Sequence, residues 1–370
     1  MQTRTGPSRR LSRGILPSPE LSGAKSSRPP LPSSAPIVIL GIESSCDDTA
    51  AAVLVDGVVR SNVIAGQSVH AAWGGVVPEL ASRAHQENIV PVVHQAMQEA
   101  GVDKEDLSAI AFTQGPGLIG ALLVGSCFAR SMAQALGKPL IAVDHLKAHA
   151  LAHFIRDEEP RPVPTFPFLN LTVSGGHTQF VVVRSPLHME VIGSTVDDAA
   201  GEAFDKGAKM LGLPYPGGPL VDKLAQVGDH TRHPLPLPSM PGLDMSFSGL
   251  KTAFLNMLQR GAVKDPNFKV HEQAHLCAAL QHAIVHVLLK KTSMAVRQTG
   301  ITLVAISGGV SANSGLRAQL GALAGTEGWE LFAPPLAYCT DNGAMIAMAG
   351  HFLFEVGQFS GLDVVPRARF

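Results

Sequence analysis

The chain has 370 residues, enough for about two domains. Hydrophobic residues make up 45% and charged residues 16%, with 37 Gly and 27 Pro dispersed along the chain, which excludes a fibrous or disordered protein and fits a loop-rich α/β enzyme. The net charge of −1 hides a split: Arg4, Arg9, Arg10, Arg13, Lys25 and Arg28 against Glu20 give residues 1–36 a charge of +5 and leave −6 for the rest, which excludes a generic polyanion binder.

Residues 1–36 are rich in Ser, Pro and Arg without hydrophobic periodicity, and are expected to be disordered. Arg-rich, acid-poor composition fits an organellar transit peptide, which would place the protein in a mitochondrion or plastid. A start assigned too far upstream fits the composition equally, and the compartment expected first is the cytoplasm, with the organelle as the alternative. Cys46, Cys127, Cys277 and Cys339 form no CxxC pair and read as reduced thiols. No uninterrupted apolar run reaches the ~18–20 residues of a membrane span, so no membrane association is expected.

Order is expected from Ile37. Residues 37–41 and 50–55 are apolar runs around a polar turn, a strand–turn–strand pattern. Residues 87–100 have helical spacing, 107–113 read as a buried strand, 118–136 as a helix, and 140–143 as a strand followed by a helix through Phe154. The proline-rich stretch 157–167 marks a boundary. Residues 168–173 and 180–183 then repeat the opening pattern around Ser174-Gly175-Gly176-His177-Thr178. The repeat predicts two lobes, each opening with a hairpin whose turn faces a shared cleft. The lobes are expected at 37–156 and 157–345, with a C-terminal helix and tail at 346–370. Further helices are expected at 197–211, at 276–289 as a solvated amphipathic helix, and at 342–354. A tight loop is expected at 214–219 and a strand at 303–306.

Three small-residue turns follow apolar strands, at 41–47, 174–178 and 307–313. Such turns let backbone N–H groups approach a phosphate without a Cβ in the way, and three of one type point to a nucleotide cleft. None is a Walker A loop. Glu43, Asp47 and Asp48 in the first turn can manage a cation, orient a water or cap the next element. His145 and His149 stand four apart past a strand, a two-point metal grip if the segment is helical. Asp341, before the last helix, is a candidate third ligand, and His153 extends the stripe as a bystander. His271-Glu272-Gln273-Ala274-His275 matches the HExxH pattern of zinc proteases, with no third ligand evident after it.

With these residues in hand, the chain resembles the tRNA N6-adenosine threonylcarbamoyltransferases, once called O-sialoglycoprotein endopeptidases. The resemblance spans roughly 38–350. It rests on segments 41–49, 74–83, 115–118, 173–178, 201–206, 215–219, 246–251, 307–313 and 340–343, and the wording of 76–93 and 168–222 looks like the bacterial branch. It implies a duplicated two-lobe fold of the actin/Hsp70/sugar-kinase ATPase type. It implies one divalent metal per subunit, iron first and zinc second, on His145, His149 and Asp341. It implies a threonylcarbamoyl-adenylate substrate touching Thr172, Val173, Ser174, Gly175, Gly176, Asp205, Gly218, Asp222 and Asn313, with tRNA as acceptor. It further implies a paralogous dimer partner and a small ATPase, or a homodimer as in organellar relatives. Two positions depart from the family pattern: Lys147 stands where an acidic residue is common, and Thr172 lies near a position where archaeal-type relatives carry a tyrosine ligand. The competing readings are a zinc metalloprotease on His271, Glu272 and His275, a catalytically silent scaffold of the same fold, and a sugar kinase.

Overall fold

The computed structural model describes residues 35–369 and Gln2, so the disorder expected for 1–36 falls almost wholly outside the described residues. From Pro36 onward the chain is one unit. β1 (Val38–Glu43) and β2 (Asp48–Val55) form the expected antiparallel hairpin, with Ile39 opposite Leu54 and Glu43 opposite Ala50. β3 (Val58–Gly66) adds antiparallel to β2, while β4 (Ala109–Gly115) and β5 (Leu140–Asp144) extend the other side in parallel. The order is β3-β2-β1-β4-β5. β1 and most of β4 are buried on both faces, which is why they read as unbroken apolar runs.

α1 (Pro78–Ala100) and α2 (Ile119–Leu136) cover one face of this sheet. α1 begins at Pro78 rather than 87, because proline at the first helical turn loses no hydrogen bond there. α2 reaches a mean hydropathy of 1.3 over 18 residues, so it is long and apolar enough to cross a membrane by length and composition. The expectation that no such segment exists counted uninterrupted apolar residues, and Ser126, Arg130 and Gln134 interrupt α2. In the fold it packs on α1 and β4.

The second sheet contains β6 (Phe168–Val173), β7 (Thr178–Ser185), β8 (His188–Ser194), β9 (Leu303–Ser307) and β10 (Glu330–Phe332), in the order β10-β9-β6-β7-β8. Read in reverse, it is the first sheet again: two antiparallel pairings, then two parallel ones. Its helices are α4 (Ala200–Leu211), α5 (Gly218–Ala225), α6 (Ser248–Lys264), α7 (Phe268–His271), α8 (Gln273–Thr299) and α9 (Ser314–Glu327). Asp197, expected to open α4, instead accepts the Phe247 and Ser248 N–H groups and so serves the start of α6. α8 is not a solvated helix. It is the central helix of this lobe, buried along both sides between α4, α5 and α9, so its apolar surface is far wider than one stripe.

α3 (His145–Leu151) follows β5 directly. The last helix, α10 (Gly343–Glu355), comes after the second sheet in sequence but packs on β1, β2 and β4 of the first. The tail beyond it covers the free edge of β5, where the Ser360 N–H donates to the Leu140 carbonyl at 2.8 Å.

Candidate metal centre and cleft

β5 ends on Asp144, whose carboxylate accepts the N–H groups of Leu146 at 2.9 Å and Lys147 at 3.1 Å and so starts α3 at once. One helical turn then puts His145 and His149 on the same face, with ring centroids 4.7 Å apart. Asp341 enters just ahead of α10, which Asn342 caps through the Met345 N–H. Asp341 Oδ1 lies 3.1 Å from His149 Nε2 and 3.5 Å from His145 Nε2. One ligand atom from each residue lies within 4.8 Å of the others. The expected trio is therefore assembled from two stretches of chain far apart in sequence, α3 and the segment just ahead of α10. Both histidines are buried, while the Asp341 side chain is 25% exposed, so the group opens on the Asp341 side. Two imidazole nitrogens and a carboxylate oxygen with an open side form a donor set suited to a first-row divalent cation that keeps exchangeable positions.

The electrostatics agree with a cation site. Burial alone would lower the His145 pKa, but the Glu43 and Asp341 carboxylates outweigh it and push it up to about 9. Burial opposes the charge on Asp341, yet His145 and His149 hold its carboxyl well below the usual range. Lys147 is exposed, on the side of α3 away from the trio. His153 is buried further along the chain, lies outside the trio, and is pushed down to about 4 by burial.

The second lobe brings its turns to the same cleft. Thr172 and Val173 end β6 and are fully buried. Thr172 Oγ1 and Ser307 Oγ each accept a hydrogen bond at 2.9 Å from Asn170 Nδ2. The chain then turns, with the Ser174 N–H donating to the His177 carbonyl at 2.8 Å and the His177 N–H to Ser174 Oγ at 3.1 Å. Gly175 and Gly176 are exposed, with open space where a Cβ would stand. Gly308, at φ 86°, lies so close to Val173 that a Cβ would sit 2.5 Å from its carbonyl oxygen, so the 174–177 and 307–313 turns are packed backbone to backbone. Burial first, then His145 and His149, push His177 down to about 4, so this turn lies within electrostatic reach of the trio.

The remaining expected substrate residues carry scaffold bonds. Asp205 Oδ1 accepts the Gly217 and Gly218 N–H groups at 2.9 and 3.1 Å, fixing the start of α5. Asp222 holds Ser314 with both oxygens, at 2.9 Å to its N–H and 2.8 Å to its hydroxyl. Asn313 caps α9 through the Leu316 N–H and donates to Gln281 Oε1 at 2.7 Å. Tyr215 is pushed well above its usual range by burial, then by Asp47 and Asp205, so the first-lobe turn and the second lobe share an acidic stretch of cleft. Thr113, Asn170 and Gln281 support these turns and carried no sequence signal, being single polar residues in buried elements.

The HExxH residues do not form a metal site among the described residues. α7 ends at His271 and α8 begins at Gln273, so the two histidines do not share one helix. His271 pairs with Asp265 at 2.7 Å. Glu272 accepts from Arg232 and His233, both at 2.8 Å, and His275 Nδ1 accepts the Asp229 N–H at 2.9 Å. These bonds tie the 229–233 loop to the α7–α8 junction.

Comparison with known proteins adds lineage to this geometry. The family described as tRNA N6-adenosine threonylcarbamoyltransferase matches residues 58–348. The enzyme of that name from Christiangramia forsetii is 55% identical over 334 residues, covering 90% of this chain and 98% of the relative. The one from Porphyromonas gingivalis is 54% identical over 334 residues, with the same coverage of 90% and 98%. Among solved structures, full-length HypF in its phosphate- and nucleotide-bound form superposes with a TM-score of 0.57 at 13% identity, over 88% of this chain and 57% of that chain. Component A of the Acidaminococcus fermentans (R)-2-hydroxyglutaryl-CoA dehydratase gives 0.51 at 17% identity, over 85% and 97%. At such identities these two show the fold alone, the duplicated two-lobe α/β ATPase type. With its motifs, its fold and its relatives in agreement, the chain belongs to the tRNA N6-adenosine threonylcarbamoyltransferase family.

Proposed function

We propose that the chain transfers the threonylcarbamoyl group from threonylcarbamoyl-adenylate to N6 of adenosine 37 in tRNAs that read codons beginning with A, releasing AMP. The meeting of His145, His149 and Asp341 beside the 174–177 turn carries this reading. The donor is a mixed anhydride with AMP as a good leaving group. The acceptor amine is a poor nucleophile because its lone pair is delocalised into the ring. The N6 nitrogen attacks the carbamoyl carbon, the bond from that carbon to the AMP phosphate oxygen breaks, and an N6 proton passes to water. The protein's task is to hold the two reactants in line and to steady negative charge on the departing side.

The exposed Gly175–Gly176 backbone suits the second task, because its N–H groups can approach an oxyanion or phosphate without a side chain between. A divalent cation on the trio supplies Lewis acidity toward a carbonyl or phosphate oxygen. Iron is the first candidate and zinc the second, since imidazole and carboxylate donors suit both. Asp205, Asp222 and Asn313 act by fixing the α5 and α9 starts that wall the substrate. The charge of −6 outside residues 1–36 supports help in gripping tRNA, from a paralogous dimer partner and a small ATPase. All four cysteines are free, which suits the reducing cytoplasm.

The test is product analysis. Unmodified tRNA is incubated with the adenylate, the protein and its bacterial-type partners, then digested to nucleosides for mass spectrometry. The expected result is threonylcarbamoyladenosine with one AMP released per modified nucleoside. AMP release without nucleoside product would count against transfer.

A further inference from the structure

One buried carboxylate behind the trio is held more tightly than packing requires. Glu43 ends β1 with no exposed surface. Its Oε1 accepts the Ser45 N–H, and its Oε2 accepts the Thr113 hydroxyl at 2.6 Å. The same Oε2 lies 3.0 Å from His145 Nδ1, and among the described residues His145 is its ion-pair partner.

We propose that Glu43 is the positioning residue that presents His145 to the metal. An ionised carboxylate only accepts hydrogen bonds, so a hydrogen stays on His145 Nδ1, and when a metal displaces the proton from Nε2 the lone pair is offered on the side shared with His149 and Asp341. Ser45 and Thr113 stop the carboxylate from rotating, so β1 and β4 together fix the ring. His149 lacks this support: its Nδ1 is buried with no partner among the described residues. One ligand is thus aimed from behind and the other is not. Glu43 and Asp341 together also place two carboxylates around the position, the charge that a divalent cation offsets.

A structural role would tolerate glutamine, which has the same size. The metal role does not. In Glu43→Gln the amide NH2 must face either His145 or the Ser45 N–H. Facing His145, it favours the tautomer with hydrogen on Nε2, which blocks the ligand lone pair. Facing Ser45, it sets donor against donor.

This inference rests on the metal reading above, and the experiment separates the two. The metal-stripped full chain is titrated with Co2+ against a chromophoric chelator, following the visible Co2+ bands. Wild type, Glu43→Gln, Thr113→Val and His149→Ala are compared. Glu43→Gln is expected to bind about 10- to 100-fold more weakly, with altered bands, and Thr113→Val more weakly by a smaller factor. If His149→Ala loses binding while Glu43→Gln matches wild type in affinity and spectrum, the inference is overturned and the metal reading stands. If His149→Ala also matches wild type, the metal reading fails and takes the inference with it. Should Glu43→Gln not fold, Thr113→Val decides, and unchanged affinity there overturns the inference.

Discussion

Asp48 opens β2 between the metal centre and the acidic side of the cleft. Burial first, then Asp47, Asp341 and Glu43, push its carboxyl up to about 7 from an ordinary 3.8. An acid whose folded pKa lies above its unfolded value keeps its proton longer in the native state. Its contribution to stability is full below about pH 4 and is lost as pH rises to 7. Asp48→Asn is expected to remove that loss. Thermal melts at pH 5 and pH 8 should show a smaller drop in Tm for the variant than for wild type, and equal drops would contradict the assignment. Single residues differ greatly in how far the sequence exposes them. His145 and His149 are legible because four residues make one helical turn. Asp341 is legible only as a candidate acid, since nothing local pairs positions 149 and 341. Thr113 is silent, because a lone threonine in a buried strand reads as packing until the fold sets it against Glu43.

Among the elements, α10 matters most, because Asp341 rides just ahead of it. Gly41 on β1 and Gly343 at the start of α10 let the helix seat on the sheet. A Cβ on Gly41 would lie 2.4 Å from the Ala347 nitrogen and the Gly343 oxygen, and one on Gly343 would lie 2.5 Å from backbone atoms of Ala51 and Ala52. These contacts are with backbone, so neither side can yield cheaply. Gly343→Ala is expected to cost about 1–3 kcal/mol and to weaken metal binding by shifting Asp341. Melts and Co2+ titration on the same sample check both, and an unchanged Tm with unchanged affinity would contradict the seating. The strands that the sequence reveals are the mostly buried ones, β1, β2, β4, β5, β6, β7 and β9. The missed elements are half-exposed or narrowly buried. β3 and β8 are edge strands with mixed patterns. α6 buries only Leu250, Phe254 and Leu258, and α9 only Leu316, Leu320 and Ala324, one row each at a spacing of four. α8 departs in the opposite direction: its amphipathic pattern over 276–289 predicts a solvated face, but the structure buries the helix on both sides.

On the scale of the molecule, duplication explains the site. Two sheets of identical topology each present a hairpin turn and the C-terminal ends of parallel strands to one cleft, where ligands of open α/β folds bind. The first lobe supplies Glu43, His145 and His149, the second supplies the glycine turns, and α10 returns to the first sheet bringing Asp341. The repeat was readable from two hairpins, but the return of α10 was not, since it is a contact between the end of the chain and its beginning. The HExxH shows the converse: a perfect local pattern that the fold spends on pinning a loop. The measurement that tests this account most directly is transfer of labelled threonine from the adenylate to tRNA, with wild type, His145→Ala and His271→Ala compared under one set of partners. The account predicts a loss of at least about 100-fold for His145→Ala and near wild-type transfer for His271→Ala. Retained transfer in His145→Ala, or loss confined to His271→Ala, would contradict it.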